Sequence, residues 1–224
     1  MRITKRQKTW AELDATKTYS FADAIETLRN YCSKKFDETC ELAVRLNVDV
    51  TKADQAIRGM FSLPNGTGKK VRVAVFTNDK QDEAKKAGAD VVGGEDLVAK
   101  VAEGQIDFDR VIATPEMMPK MSKVARVLGP KGLMPNPKLG TVTNDVAAAV
   151  AMAKAGQIEY RAEKNGIIHA GIGKMSFTTD KLVENATALV EQLKKVKPAS
   201  VKGQYIIGIS ISTTQGPGLH IDAK

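Results

Sequence analysis

The sequence predicts an α/β (α+β) protein of two domains, one inserted into the other. Short apolar strands alternate with helical segments between Val71 and Ala155, as they do in βαβ layers with parallel strands. Two glycine-containing breaks, Ser62 to Lys70 and Gly156 to Tyr160, bracket that alternation. The flanking segments are each about as long as a minimal domain yet hold few strands apiece, so an inserted middle domain accounts for both. Periodicity alone does not show that the flanks join.

The first helix is expected from Phe21 to Lys34, with Phe21, Ala24, Ile25, Leu28 and Tyr31 at helical spacing, Ser20 as cap and Asp23 in the first turn. Thr39 to Val48 alternates Cys40, Leu42, Val44, Leu46 and Val48 with Glu41, Ala43, Arg45 and Asn47, the pattern of a half-buried strand. Beyond the first break, strands are expected at Val71–Phe76, Asp90–Val92 and Arg110–Ala113. Helices are expected at Lys80–Ala87, Glu95–Ala102 and Glu116–Val127. The loop Leu128 to Thr141 is too rich in proline and glycine for regular structure. Asn144 is placed to cap an alanine-rich helix over Asp145–Ala155. A strand-like stretch from Gln157 to Phe177, a helix over Thr179–Lys197 and a last strand over Gln204–Ser212 complete the chain. Gln204 through Ile221 carries no formal charge, which suits a central strand or one covered by a partner.

Composition narrows the function. No apolar run approaches the roughly 20 residues that span a bilayer, and the start lacks the apolar centre of a secretory signal, so a soluble chain is expected. Cys32 and Cys40 belong to no CxxC or Cys/His cluster; free thiols in a reducing compartment follow. The formal charge of +8 fits a polyanionic partner. Each third of the chain is mildly basic, so no tail explains the excess. Within the middle segment, Asp79 to Glu116 is acid-rich, whereas Met117 to Asn144 carries Lys120, Lys123, Arg126, Lys131 and Lys138 with no acid.

Catalytic signatures are missing. In GIGKM, Ile168 takes the first-glycine position of a phosphate-binding loop and Met175 replaces its magnesium-binding hydroxyl; GTGKK fails in the same way at Leu63. No GxGxxG follows Val71–Phe76 and no GxSxG occurs. His169 and His220 match no metal-ligand spacing. A nucleotide-dependent enzyme is the competing class, and it lacks its motifs.

Two features point to RNA. Lys34, Lys35 and Phe36 lead directly into the Thr39 strand and offer cations beside an aromatic face, although a packed Phe36 and a solvated helix end fit the same residues. STTQGPG, Ser212 to Gly218, combines hydroxyls, an amide and open glycine backbone, which suits hydrogen bonding to ribose and base edges; an ordinary turn fits equally.

Six strings are more specific. KKFDETCEL, GADVVGGEDL, DFDRVIATPEMM, VLGPKGLMPNPKLGTV, GIIHAGIGKMSF and STTQGPG, in this order along nearly the whole chain, resemble the large-subunit ribosomal protein L-one family, the protein of the ribosome stalk. The resemblance implies a discontinuous split β-α-β RNA-binding domain, 1–67 with 158–224, and an inserted Rossmann-like three-layer α/β domain, 68–157. It implies binding to 23S-type large-subunit rRNA, a mobile stalk near the tRNA exit site that assists release of deacylated tRNA, and repression of translation through the protein's own mRNA. The RNA surface it implies falls on Lys35, Phe36, Thr39, Glu41, His169, Lys174, Thr213, Thr214, Gln215 and Gly216. Gln215 departs from the family's TMGP string. Alternation places Glu41 with Thr39 on one strand face, where its carboxylate is suited to accept from a ribose hydroxyl or base amine. Lys131 and Lys138 are candidates for a secondary RNA contact, and Gly66, Gly68 and Gly156 for hinges. Also implied are no catalysis, no cofactor, no metal, no membrane partner, a monomer off the ribosome and a cytoplasmic location, with an organelle stroma or matrix left open.

Overall fold

The computed structural model describes residues 8–11, 13–14, 16–33 and 35–222. In chain order its elements are β1 (Thr18–Tyr19), α1 (Phe21–Tyr31), β2 (Thr39–Leu46), β3 (Arg58–Ser62), β4 (Val73–Phe76), α2 (Gln81–Lys86), β5 (Val91–Gly93), α3 (Glu95–Ala102), β6 (Arg110–Ala113), α4 (Val146–Lys154), β7 (Gln157–Arg161), β8 (Ile167–Lys174), α5 (Thr179–Lys195), β9 (Ile206–Thr213) and β10 (Gly218–Ile221). The chain divides into two compact units. One comprises the chain up to Lys69 together with Ile158 onward; the other is Lys70–Gln157.

The first unit is built on a five-stranded sheet in the order β1-β10-β9-β2-β8, antiparallel except for β1 beside β10. Alternation decides its two faces. Cys40, Leu42, Val44 and Leu46 of β2, Ile209 and Ile211 of β9, and Leu219 and Ile221 of β10 are buried with the inner residues of α1 and α5. On α1 these are Ala24, Ile25 and Leu28; on α5, Leu182, Ala186 and Leu189 recur at the spacing of one helical stripe. Removing such side chains from water contributes about 1.5–3 kcal/mol for each large one. The opposite sheet face carries Glu41, Ala43, Arg45, Ser210, Ser212, His169 and His220, all exposed or half-buried.

Helix α1 starts as expected, with the Ser20 hydroxyl accepting from the Asp23 N–H at 3.2 Å. It stops at Tyr31 rather than Lys34. The Ser33 N–H, which a longer helix would turn back to an earlier carbonyl, donates instead to the Glu38 carboxylate at 2.6 Å; Lys34 lies outside the described residues. The expected last strand is corrected in a similar way. The uncharged stretch holds two antiparallel strands, β9 and β10, with STTQGPG between them, and β9 does lie inside the sheet. A further two-stranded sheet, β3 with β7, is not foreshadowed by the sequence pattern because RGMFS shows no clean alternation.

The break at 62–70 is held to α5 by Asn185, which is fully buried. Its amide nitrogen donates to the carbonyls of Ile172 (2.7 Å) and Gly66 (3.0 Å), and its oxygen accepts from the Asn65 N–H (3.0 Å). Gly66 and Gly68, expected as hinges, adopt left-handed φ values of 65° and 71°. A Cβ on Gly68 would lie 2.9 Å from the Phe177 ring, so this glycine answers a close approach within the unit.

The second unit is a parallel three-stranded sheet in the order β5-β4-β6. All four residues of β4 are buried, as expected of a strand covered on both faces. Ala74 and Phe76 pack with Leu97, Val98 and Val101 of α3; Val73 and Val75 pack with Ala84 of α2 and Val146 and Val150 of α4. The helix expected over Glu116–Val127 is a run of single helical turns from Pro115 to Leu128. Pro119 has no N–H to return to an earlier carbonyl, and Val124 leaves helical geometry at φ −100°, ψ 3°. Asp145, not Asn144, caps α4, its carboxylate accepting from the Ala148 N–H at 3.1 Å.

Asp90 fixes the start of the parallel layer. Its carboxylate accepts from the Val73 N–H at 2.9 Å and pairs with Lys154 at 3.2 Å; the Val73 N–H first, and then Lys154, hold its pKa below the ordinary 3.8. A depressed folded value contributes stability that is present above the unfolded pKa and is lost as pH falls through the folded one. Asp90→Asn is therefore expected to lower stability at neutral pH and to flatten the acid-induced loss below about pH 4, followed by circular dichroism during acid titration.

Candidate nucleic-acid interface

The start of β2 is tied to distant parts of the chain by short hydrogen bonds. The Thr39 N–H donates to the Thr214 hydroxyl at 2.9 Å, and the Thr214 N–H donates back to the Thr39 carbonyl at 3.1 Å. Lys174, paired with Thr39 across β2 and β8, donates its ammonium to the Thr39 hydroxyl at 2.8 Å and to the Asp37 carbonyl at 3.2 Å. The Asp37 carboxylate accepts from the N–H and hydroxyl of Ser176 at 3.1 and 2.7 Å. Thr39, Lys174 and Thr214 thus form one rigid corner, although they are far apart in sequence.

Glu38 is the residue that sequence reasoning missed. It is 1 % exposed, and its carboxylate accepts from the Ser33 N–H at 2.6 Å and the Gln215 N–H at 3.1 Å, while its carbonyl accepts from the Met175 N–H at 2.9 Å. One buried side chain therefore joins the end of α1 to the 213–216 turn. Nothing local marks it out as a link to the 213–216 turn, since it lies in the loop before β2 and its partner there, Gln215, is 177 positions away.

Around this corner the expected residues separate into groups. Lys35 and Phe36 are exposed, Phe36 at 44 %, and Phe36 is absent from the core packed around α1 and α5. Thr214 and Gln215 are exposed, while Gly216 is half-buried and donates its N–H to the Thr213 carbonyl. Thr213 itself is corrected from a surface residue to a supporting one. Its side chain is 4 % exposed because it continues the inward set of Ile209 and Ile211. A Cβ on Gly216 would lie 2.2 Å from the Thr213 hydroxyl oxygen, so the turn closes directly on that side chain.

Glu41 and His169 belong to the open sheet face. Glu41 stands between Ser212 of β9 and Gly171 of β8; in the next row Ala43 stands between Ser210 and His169, and His220 lies beyond Ser210. His169 is thus four residues along β2 from Thr39, about 13 Å at ~3.3 Å per residue. The face is lined by hydroxyls, small side chains and two imidazoles together with the charged Glu41 and Arg45, with the Ser210 hydroxyl and His220 Nδ1 3.1 Å apart. Ser210, Ser212 and His220 were legible in principle, since GISIS and GLHI alternate like β2. Beneath the face, burial pushes the Cys40 thiol up to about 12, which keeps it protonated and unreactive at neutral pH.

Lys131 and Lys138 lie in the second unit, exposed on the Gly/Pro loop. That loop is braced by its own bonds: the Asn136 N–H to the Thr141 hydroxyl at 2.7 Å, and the Lys138 N–H to the Asn136 side chain at 2.9 Å. GIGK, weighed above as a fragment of a phosphate-binding loop, is part of strand β8 and opens no helix. Among the described residues no group of three or more His, Cys, Asp or Glu side chains is placed to hold a metal ion, and no helix is long and apolar enough to cross a membrane.

The surface therefore offers cations and an exposed aromatic ring beside a sheet face of hydroxyls and imidazoles on which Glu41 and Arg45 carry opposite charges. Such a combination suits a ligand that carries phosphates, ribose hydroxyls and stacked bases together. Residues 28–217 of the chain match the model of the ribosomal protein L1p/L10e family, a span that includes every rim residue from Lys35 to Gly216.

Proposed function

The chain belongs to the ribosomal protein L1p/L10e family, and from that premise we propose that the open face of the five-stranded sheet and its Thr39–Lys174–Thr214 corner are its surface for large-subunit rRNA. Membership makes the chain a structural protein of the ribosome that binds large-subunit rRNA. The observation that carries the placement is the locked corner. Hydrogen bonds fix Thr39, Lys174 and Thr214 before any ligand arrives, so binding does not have to order them. Lys35 and Lys174 attract phosphate, Phe36 stacks on a base, and Glu41, Ser210 and Ser212 address ribose hydroxyls and base amines.

In this reading the unit built from both ends of the chain is a split β-α-β RNA-binding domain, and the Lys70–Gln157 unit is a Rossmann-like domain. The exposed Lys131 and Lys138 of the latter make a secondary RNA contact. The chain crosses between units at Lys69–Lys70 and at Gln157–Ile158; bending there, next to Gly156 with its φ of 87°, moves the ribosome stalk near the exit-site tRNA and assists release of deacylated tRNA. Off the ribosome the protein is a cytoplasmic monomer. An element of its own mRNA with the same shape as the rRNA site occupies the same surface and represses translation.

Filter binding to a transcript of the stalk region of large-subunit rRNA tests the placement. Thr214→Val removes the hydroxyl that accepts from Thr39, and an affinity lower by about tenfold is expected from the loss of one such bond. Unchanged affinity with an intact circular dichroism spectrum contradicts the placement.

A further inference from the structure

Beside the open face, the first unit carries a groove of about 790 Å³ that none of the roles above uses. Arg58 from β3, Arg161 from β7, Lys164 from the turn before β8 and His169 from β8 line it. Its frame is rigid. The Ala162 N–H donates to the Ile57 carbonyl at 2.9 Å, Ala162 bridges Ile168, and the Glu163 N–H donates to the Ile167 carbonyl at 2.9 Å, so the β3–β7 pair is joined to the edge of β8 by backbone bonds. Gly166 closes that turn at φ 71°, where a Cβ would lie 2.8 Å from the Leu46 carbonyl.

Three properties of the groove indicate its ligand. First, among the described residues Arg58, Arg161 and Lys164 form no ion pair, so three cations face the groove with their charge uncommitted. Guanidinium groups in that condition suit a phosphate, which they engage with paired N–H donors. Second, Glu159 and Glu163 line the same groove, Glu163 lying 3.9 Å from His169 Nε2. Two carboxylates among the cations disfavour a bare polyanion and favour a ligand that also presents hydrogen-bond donors. Third, Val50 and Ile57 supply an apolar portion, and the volume falls in the range of about 300–1,000 Å³ that small-molecule sites occupy. A nucleotide has all three complements: a phosphate, amino and hydroxyl donors, and a flat apolar base.

Continuity selects the source of that nucleotide. His169 lines the groove and also stands on the open sheet face beside Ala43. A strand of RNA lying on that face passes directly to the groove across His169. We propose that the groove takes one unpaired nucleotide of the bound RNA, with its base against Val50 and Ile57, its phosphate on Arg58 and Arg161, and its donors toward Glu159 and Glu163. Proteins read RNA sequence chiefly at such splayed-out bases, so the groove would add sequence selection to the shape recognition of the open face. The proposal rests on the RNA-binding reading above.

The test uses the full chain and the stalk-region rRNA transcript, with filter binding across a range of salt concentrations. Arg58→Ala combined with Arg161→Ala is expected to weaken binding about tenfold or more and to reduce the slope of log affinity against log salt by about one for each phosphate that is no longer neutralised. The lysine pair, Arg58→Lys with Arg161→Lys, is expected to keep the slope and lose part of the affinity. In the unaltered protein, a transcript carrying photoreactive uridines is expected to crosslink within residues 50–58 or 159–164. Wild-type affinity and slope in the alanine pair, or crosslinks confined to residues 35–41 and 212–216, overturn the groove. If the alanine pair binds normally while Thr214→Val is impaired, only the groove falls; if both bind normally, the RNA surface falls with it.

Discussion

Glu38→Ala is expected to lower stability by about 1–3 kcal/mol, because it leaves two part-buried N–H groups, those of Ser33 and Gln215, without the buried carboxylate that accepts from them. The site is too enclosed for solvent to substitute freely, since Glu38 is 1 % exposed. RNA affinity is expected to fall further than the loss of folded protein explains. The carboxylate holds the 213–216 turn against the end of α1, and releasing it frees the Thr214 and Gln215 groups that face the ligand. Glu38→Gln keeps one acceptor oxygen and replaces the other with a donor facing an N–H; partial recovery of stability with incomplete recovery of binding is the expected pattern. Chemical denaturation and filter binding, run on the same preparations below the unfolding transition, separate the two effects. Equal affinity per folded molecule in the wild type and both variants would show that Glu38 supports the fold alone.

Phe36→Ala is expected to behave in the opposite way. The ring is 44 % exposed and takes no part in the core between its unit's sheet and helices, so stability is expected to change by no more than about 0.5 kcal/mol. Stacking of a base on an aromatic side chain is worth about 1–3 kcal/mol, and RNA affinity is expected to fall by about five- to 150-fold. Phe36→Trp, which keeps a stacking plane, is expected to retain most of the binding. A Phe36→Ala protein that unfolds earlier yet binds RNA normally assigns the ring to packing, the alternative that its neighbours in the sequence leave open.

The contrast between these two residues shows what is legible in a sequence and what is not. Alternation in Thr39–Leu46 separates Glu41 from Cys40 and Leu42, and the sheet confirms that separation residue by residue. Ser20, Asp23 and the apolar stripe specify α1 from residues at most a few positions apart. The covered parallel strands are equally local, since four successive buried residues in β4 need no partner to be recognised. Glu38 is of another kind, because its role depends on a hydrogen bond that joins parts of the chain 177 positions apart, and no short window contains it. Thr213 is legible in principle, since it continues the alternation of Ile209 and Ile211. Strand β3 fails for a different reason: it pairs only with β7, its side chains are half-buried on both sides, and alternation has nothing to report. The groove bounded by these two strands was illegible on the same account.

Charge misleads in a related way. The excess of basic residues is spread over the whole chain, and the conspicuous acid-free stretch from Met117 to Asn144 lies in the second unit. The proposed RNA surface instead draws on hydroxyls, backbone and one exposed ring, with a small number of lysines at fixed positions. That predicts selectivity for an RNA shape over salt-sensitive attraction to any polyanion.

Amide chemical-shift mapping on addition of the stalk-region rRNA transcript tests this most directly. The largest changes are expected at Phe36, Thr39, Glu41, Ser210, Ser212, Thr214 and Gln215, on the open face and its corner. Changes concentrated around Lys131 and Lys138 in the second unit, with the sheet face unaltered, would contradict the account.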